Sequence, residues 1–129
     1  MNTENFKIKE KLFIKGIKFF NESDYYEAHE YWEELWSDFI LKDKKFIQGL
    51  IQLSVAYFHI TNSNKRGALS LFNKCKQKFE IYTPSCRGLD VLYILNSVNI
   101  SIKELNKIND LSDFDWSVRP ILEIDYERT

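Results

Sequence analysis

The chain has 129 residues and a formal net charge of −1; that length sets one domain with its own core, and that charge excludes a global pull toward nucleic acid or an acidic membrane surface. Ten Phe, seven Tyr and three Trp supply core material, while four Gly and two Pro are too few for the many tight turns of a strand-rich fold. Cys75 and Cys86 lack CxxC or zinc-finger spacing and read as reduced thiols in a reducing compartment.

A first helix is expected over residues 4–20. Phe6, Phe13, Ile17 and Phe20 share one face, and Ile8, Leu12 and Phe19 form a second apolar flank. Gly16 lowers helix propensity locally and allows close packing by a neighbouring helix. Asn21 to Asp24 is a stop followed by a start, with Ser23 or Asp24 able to cap the next helix. That second helix covers 24–38. Tyr25, Ala28, Trp32, Leu35, Trp36 and Phe39 make its apolar stripe, and Glu27, Glu30 and Glu34 point the other way. His29 and Glu33 sit at the border, one turn apart.

A short, mostly basic connection leads to a third helix over 44–61, apolar almost all round and therefore central. The remaining narrow stripe is Gln48, Gln52, Val55, Ala56 and His59. A turn at 61–64 precedes a fourth helix over 64–82 that buries Ala68, Leu71, Phe72, Cys75 and Phe79. Pro84 and Gly88 break the pattern before a fifth helix over 88–107, with Val91, Leu95, Val98, Ile102 and Leu105 on one stripe. In the tail, Phe114, Trp116 and Val118 alternate with polar residues, as do Leu122, Ile124 and Tyr126, the period of an extended segment. An internal echo aligns Tyr25-x-x-Ala28-x-x-x-Trp32 with Lys65-x-x-Ala68-x-x-x-Phe72. Its turn-then-helix logic resembles, loosely, that of tetratricopeptide arrays.

The expected fold is all-α: a compact bundle of about five helices built from antiparallel helical hairpins. A helical domain over 1–107 carries an extended C-terminal tail, 108–129, packed on it. No apolar run approaches the ~20 residues of a membrane span, and the lysine-interrupted N-terminal segment is expected to hold no export signal.

The chemistry-bearing residues lie on the second and third helices. His29-Glu30-Tyr31-Trp32-Glu33 has the form HExxE. The zincin pattern needs a second imidazole where Glu33 stands. His29, Glu33 and His59 are candidate ligands for one metal, though no fourth protein ligand is evident. The plainer reading pairs His29 with Glu33 to fix a helix–helix interface. Gln48, Gln52 and His59 either form the wet side of the third helix or meet His29 and Glu33 in a polar cluster that needs full hydrogen bonding. Cys75 belongs to the core. Cys86 lies beside Arg87, which would favour its thiolate, although a lone loop cysteine is more often incidental. The lysines and arginines near 42–45, 65–66 and 74–78 read as solvated surface rather than a nucleic-acid footprint.

Phe20-Asn21-x-x-x-Tyr25-x-x-Ala28-His29-Glu30-x-x-Glu33-x-x-Trp36 resembles the opening motif of the DUF309 family. Phe46-Ile47-Gln48-Gly49-Leu50-Ile51-Gln52-x-x-Val55-Ala56-x-x-His59 is similar to its second motif, and Asn64-x-x-Gly67-Ala68-x-x-Leu71 to its third. The resemblance covers about 20–72. It implies a small all-helical protein of bacteria, archaea or plastids, without an established activity. It singles out His29, Glu30, Glu33, Trp36, Gln48, Gln52 and His59 as motif positions. The expectation is a non-enzymatic adaptor or small-ligand-binding module with a polar site between the second and third helices. The alternatives are a metal-dependent hydrolase using His29, Glu33 and His59, or a purely structural network. The partner is an unknown protein or small molecule, with no membrane; no cofactor is assigned. The expected location is cytoplasmic, or the plastid stroma.

Overall fold

The computed structural model describes residues 3–128. Among them are five α-helices: α1 (Thr3–Asn21), α2 (Tyr25–Asp38), α3 (Lys44–Thr61), α4 (Lys65–Phe79) and α5 (Val91–Lys107). Helices α1 to α4 pack each against the next through short connections, the arrangement of antiparallel neighbours, and α5 closes against α4. None of these helices is long and apolar enough to cross a membrane.

The turns between α1 and α2 and between α3 and α4 are built alike. Ser23 and Ser63 both take positive φ, 65° and 57°. The next residue caps the following helix: Asp24 accepts from the Glu27 N–H at 3.3 Å and Asn64 from the Gly67 N–H at 2.9 Å. Each cap residue donates its own N–H back into the preceding helix, Asp24 to the Phe19 carbonyl at 2.9 Å and Asn64 to the His59 carbonyl at 2.8 Å. The sequence echo is therefore a repeated turn, and Ala28 and Ala68, both fully buried, occupy equivalent positions beyond it.

Aromatic side chains fill the centre. Tyr57 of α3 meets Phe72 of α4 edge-on at 4.9 Å and Phe20 of α1 at 6.0 Å, and Phe20 meets Tyr25 of α2 edge-on at 5.2 Å. Such pairs add about 0.5–1.5 kcal/mol each beyond the area they bury. The Tyr57 hydroxyl is satisfied inside this cluster by Ser101 of α5, at 2.7 Å. The buried face of α5 is correspondingly wider and more polar than its apolar stripe, since Ser97 and Ser101 lie on it. On α1 the expected stripe holds only from Leu12 onward. Phe6 and Ile8 are exposed, because the first turns of α1 extend past the helices that cover the rest.

Two boundaries differ from the periodicity reading. The α-helical part of α4 ends at Phe79 and tightens to a 3-10 turn over Glu80–Tyr82. The fifth helix starts at Val91, not 88, because residues 85–90 form a small antiparallel pair, β1 (Ser85–Cys86) with β2 (Leu89–Asp90). Its two-residue turn, Arg87-Gly88, has φ of 54° and 77°. This is the left-handed turn that lets a hairpin follow strand twist, and Gly takes it at least cost. Asp90 then caps α5, accepting from the Tyr93 N–H at 3.0 Å.

The tail lies on the helices. Its inward–outward alternation survives up to Ile124: Phe114 and Leu122 are buried while Asp115, Ser117 and Glu123 are exposed, but Tyr126 is 77% exposed. Its backbone is not a strand, however. Asp110 and Asp115 each accept from the N–H two residues on, at 2.9 and 3.1 Å, and wind the chain into 3-10 turns at Leu111–Asp113 and Trp116–Val118. Asn21 anchors the tail by bonding both the Leu122 N–H and carbonyl at 2.8 Å. Trp116 lies flat on Tyr25, ring centres 5.9 Å apart. The aromatic surplus is thus spent on the core and on docking the tail.

Candidate functional site

Helices α2 and α3 meet along a seam pinned at both ends. At one end Tyr26 of α2 touches Phe58 of α3, ring centres 5.7 Å apart. At the other, the Lys44 ammonium of α3 sits 4.6 Å over the Trp36 ring of α2. Of the motif residues named from sequence, Trp36 lies at this seam.

His29 is about three-quarters buried and packs on Tyr26, ring centres 5.6 Å apart. Its Nδ1 lies 3.3 Å from the Tyr26 carbonyl, where only an N–H can bond, so Nδ1 carries the proton. Nε2 then faces the Glu33 carboxylate at 3.9 Å, and Nδ1 lies 3.6 Å from Glu30. These separations are long for hydrogen bonds. Glu30 and Glu33 keep about half of their side-chain surface in solvent, so each pairing contributes little at neutral imidazole. The i, i+4 relation of His29 and Glu33 read from sequence is present as a loose contact.

On α3, Gln48 and Gln52 are half-buried, as expected for the one polar line of a central helix. The Gln52 Oε1 of α3 is buried and has no hydrogen-bond partner, and the same holds for the Trp36 indole Nε1 of α2. An unpaired buried acceptor or donor costs about 1–3 kcal/mol.

His59 has a different role. Its Nδ1 is 3.2 Å from the amide nitrogen of Asn64, which donates to it while the Asn64 oxygen caps α4. His59 thus braces the α3–α4 turn. Among the described residues, no group of three or more His, Cys, Asp and Glu side chains is placed to hold one metal ion, so His29, Glu33 and His59 do not converge as a ligand set.

Sequence reasoning missed a second polar cluster. Asp43, at the start of α3, makes a bidentate pair with Arg87 of the small hairpin, Nε to Oδ2 and Nη2 to Oδ1 at 2.9 Å. Asp43 occupies the cap position of α3 but makes no side-chain cap bond, because its carboxylate is committed to Arg87. Burial alone would raise the Asp43 pKa; the Arg87 hydrogen bonds and charge outweigh it and hold the carboxyl below its usual value. The Arg87 guanidinium also covers the Phe13 ring at 4.8 Å. Cys86 beside it is not activated. Burial, then the negative charge of Asp43, push its thiol up to about 12, overriding Arg87. Cys75 lies in the core, as its stripe position implies. The signal for the pair was the lone Asp in a basic connection, but its partner lies 44 residues away.

The four principal cavities of the described residues are lined from elsewhere: around Tyr93 and Arg128, around Arg87 on both sides, and beside Tyr25 and Arg119.

The described residues form a small all-α domain of paired helices. Residues 13–71 match the family model described as Domain of unknown function (DUF309), which bears out the family resemblance carried by the three motifs. A comparison with curated proteins gives no significant match. The matched span contains all seven motif residues and stops before Arg87, α5 and the tail.

Proposed function

We propose that the chain is a non-enzymatic module that binds a small ligand through the α2–α3 seam. The observation that carries this reading is that α3 and α2 each hold a buried, unpartnered group, the Gln52 oxygen and the Trp36 indole N–H. Native interiors satisfy nearly all such groups, and a ligand offering one donor and one acceptor would satisfy both. The two end contacts, Tyr26 with Phe58 and Trp36 with Lys44, support an antiparallel register in which His29 and Glu33 lie opposite Gln52 and Gln48. That register makes the two polar borders read from sequence one line. Tyr26, exposed over half its surface, gives the line an aromatic rim at its outer end.

A fragment screen by two-dimensional NMR tests this reading. Ligands are expected to shift the Trp36 indole and Gln52 amide signals together, and Gln52→Leu is expected to abolish those shifts while leaving the fold intact. Shifts confined to other residues, or unchanged binding by Gln52→Leu, would sink it.

A further inference from the structure

A second pair of orphaned groups, the Tyr25 hydroxyl and the Arg119 Nη1, lies outside the seam. The turns after α1 and after α3 sit side by side at one end of the bundle, and the tail crosses them. Between them is a cavity of about 330 Å³ lined by Ser23, Tyr25, Thr61, Trp116 and Arg119. That volume is at the lower end of the range of small-molecule sites.

Tyr25 is 3% exposed, and its hydroxyl makes no hydrogen bond of normal geometry, its near polar neighbour being the Ser23 hydroxyl. Its near neighbour Tyr57, equally buried, has Ser101, so an unpaired phenol is not a general feature of this core. The Arg119 Nη1 is also buried without a partner. None of the ion pairs among the described residues includes Arg119. Asp24 of the first turn and Asp115 of the tail are engaged locally: Asp24 caps α2, and Asp115 accepts from Ser117 through both backbone and hydroxyl. Burial raises the Tyr25 pKa, and the Ser23 hydroxyl and the Arg119 charge offset part of that rise. The guanidinium charge is therefore felt at the phenol, and both groups address one space.

The chemistry of the lining is one-sided. Arg119 and Tyr25 present N–H and O–H donors, and Ser23 adds a hydroxyl. The Thr61 proton is spent on the Phe58 carbonyl at 2.6 Å. Trp116, stacked on Tyr25, supplies a flat apolar wall. A buried, unpaired guanidinium N–H and a poorly partnered phenol are costly alone. An anion with lone pairs in one plane satisfies both at once, and its guanidinium bonds are among the strongest available.

We propose that this cavity binds the oxyanion of a small molecule, a carboxylate or a phosphate ester, with Arg119 and Tyr25 as its donors and Trp116 against its apolar body. The site is assembled by the tail, so it forms only when residues 116–119 are docked on the helical turns. It is independent of the α2–α3 seam.

The test uses the full chain titrated with benzoate and, separately, phenyl phosphate at matched ionic strength, read by NMR at the Trp116 indole and the Arg119 Nε–H. Saturable shifts at both signals are expected at millimolar probe, and the tighter probe identifies the head group. Arg119→Gln is expected to weaken binding roughly tenfold or more, as removal of a charged donor does. Tyr25→Phe is expected to weaken it several-fold with little change in melting temperature, since its hydroxyl makes no hydrogen bond of normal geometry. Absence of saturable shifts with either probe, or wild-type affinity in Arg119→Gln, would overturn the proposal. Should Arg119→Gln fail to fold, Tyr25→Phe decides, and undiminished affinity there is equally fatal.

Discussion

Gly16→Ala sets two well-measured effects against each other. In an exposed helix the substitution stabilises by about 1 kcal/mol, because Ala is the better helix former. At this position an added Cβ would lie 2.1 Å from the Trp32 Nε1 and 2.4 Å from its Cε2. Trp32 is fully buried, and its indole N–H donates to the Phe13 carbonyl at 3.2 Å. The ring cannot yield into space, so overpacking costs about 1–3 kcal/mol. A displaced indole orphans a buried donor and acceptor for about 1–3 kcal/mol more. After the helix gain is subtracted, a net loss of about 3 kcal/mol is expected. For a domain of this size that lowers the melting temperature by roughly 10 °C. Paired urea and thermal melts of wild type and Gly16→Ala measure it. An unchanged or raised midpoint would refute the close α1–α2 approach.

Three further outcomes follow from the same contacts. Asp43→Asn removes a carboxylate that retains about a fifth of its side-chain surface exposure and leaves the partly buried Arg87 unpaired; a loss of about 3 kcal/mol at neutral pH is expected, the low end for a buried pair. Because the folded Asp43 pKa is depressed, its stabilisation is fully present above the unfolded value near 4 and disappears as pH falls through the folded one; the gap between wild type and Asp43→Asn should therefore narrow in acid, and a constant gap would contradict the pairing. Asn21→Ala cuts both bonds to Leu122, so amide exchange should rise across residues 119–125 while the α2–α4 core keeps its protection; uniform protection would contradict the anchor. With its thiol held near 12 and Cys75 buried, native protein should react slowly with a disulfide reagent at pH 8; rapid modification of one thiol would show that Asp43 does not govern Cys86.

What was legible in the sequence and what was not separates by range. The hairpins were readable because helical periodicity and the caps Asp24 and Asn64 act within a turn or two of themselves. The start of α5 was misplaced because hydrophobic spacing cannot register a two-residue hairpin; the Arg87-Gly88 turn carries that information through backbone angles. The tail's alternation marked Phe114 and Leu122 as inward but failed at the exposed Tyr126, and it did not give the backbone, since the aspartates at 110 and 115 curl it locally. His59 matched the motif, but its short-range bond to Asn64 binds it to the next turn. The groups that shape the two candidate sites were least legible. Gln52 and Trp36 stand out only once their surroundings leave them unpaired, and Tyr25 meets Arg119 only because the tail returns over α2. Asn21 and Leu122, 101 residues apart, make that return.

The seam reading turns on Gln52. Gln52→Leu replaces a buried amide whose oxygen is unpaired with an apolar side chain of similar volume. Measuring its melting temperature together with ligand-induced shifts at the Trp36 indole gives the most direct test. A melting temperature equal to or above wild type, with those shifts lost, is the expected result, because a group kept for binding is not kept for stability. A clearly lowered melting temperature with ligand shifts retained would show that Gln52 holds the helices together and that the seam is packing alone.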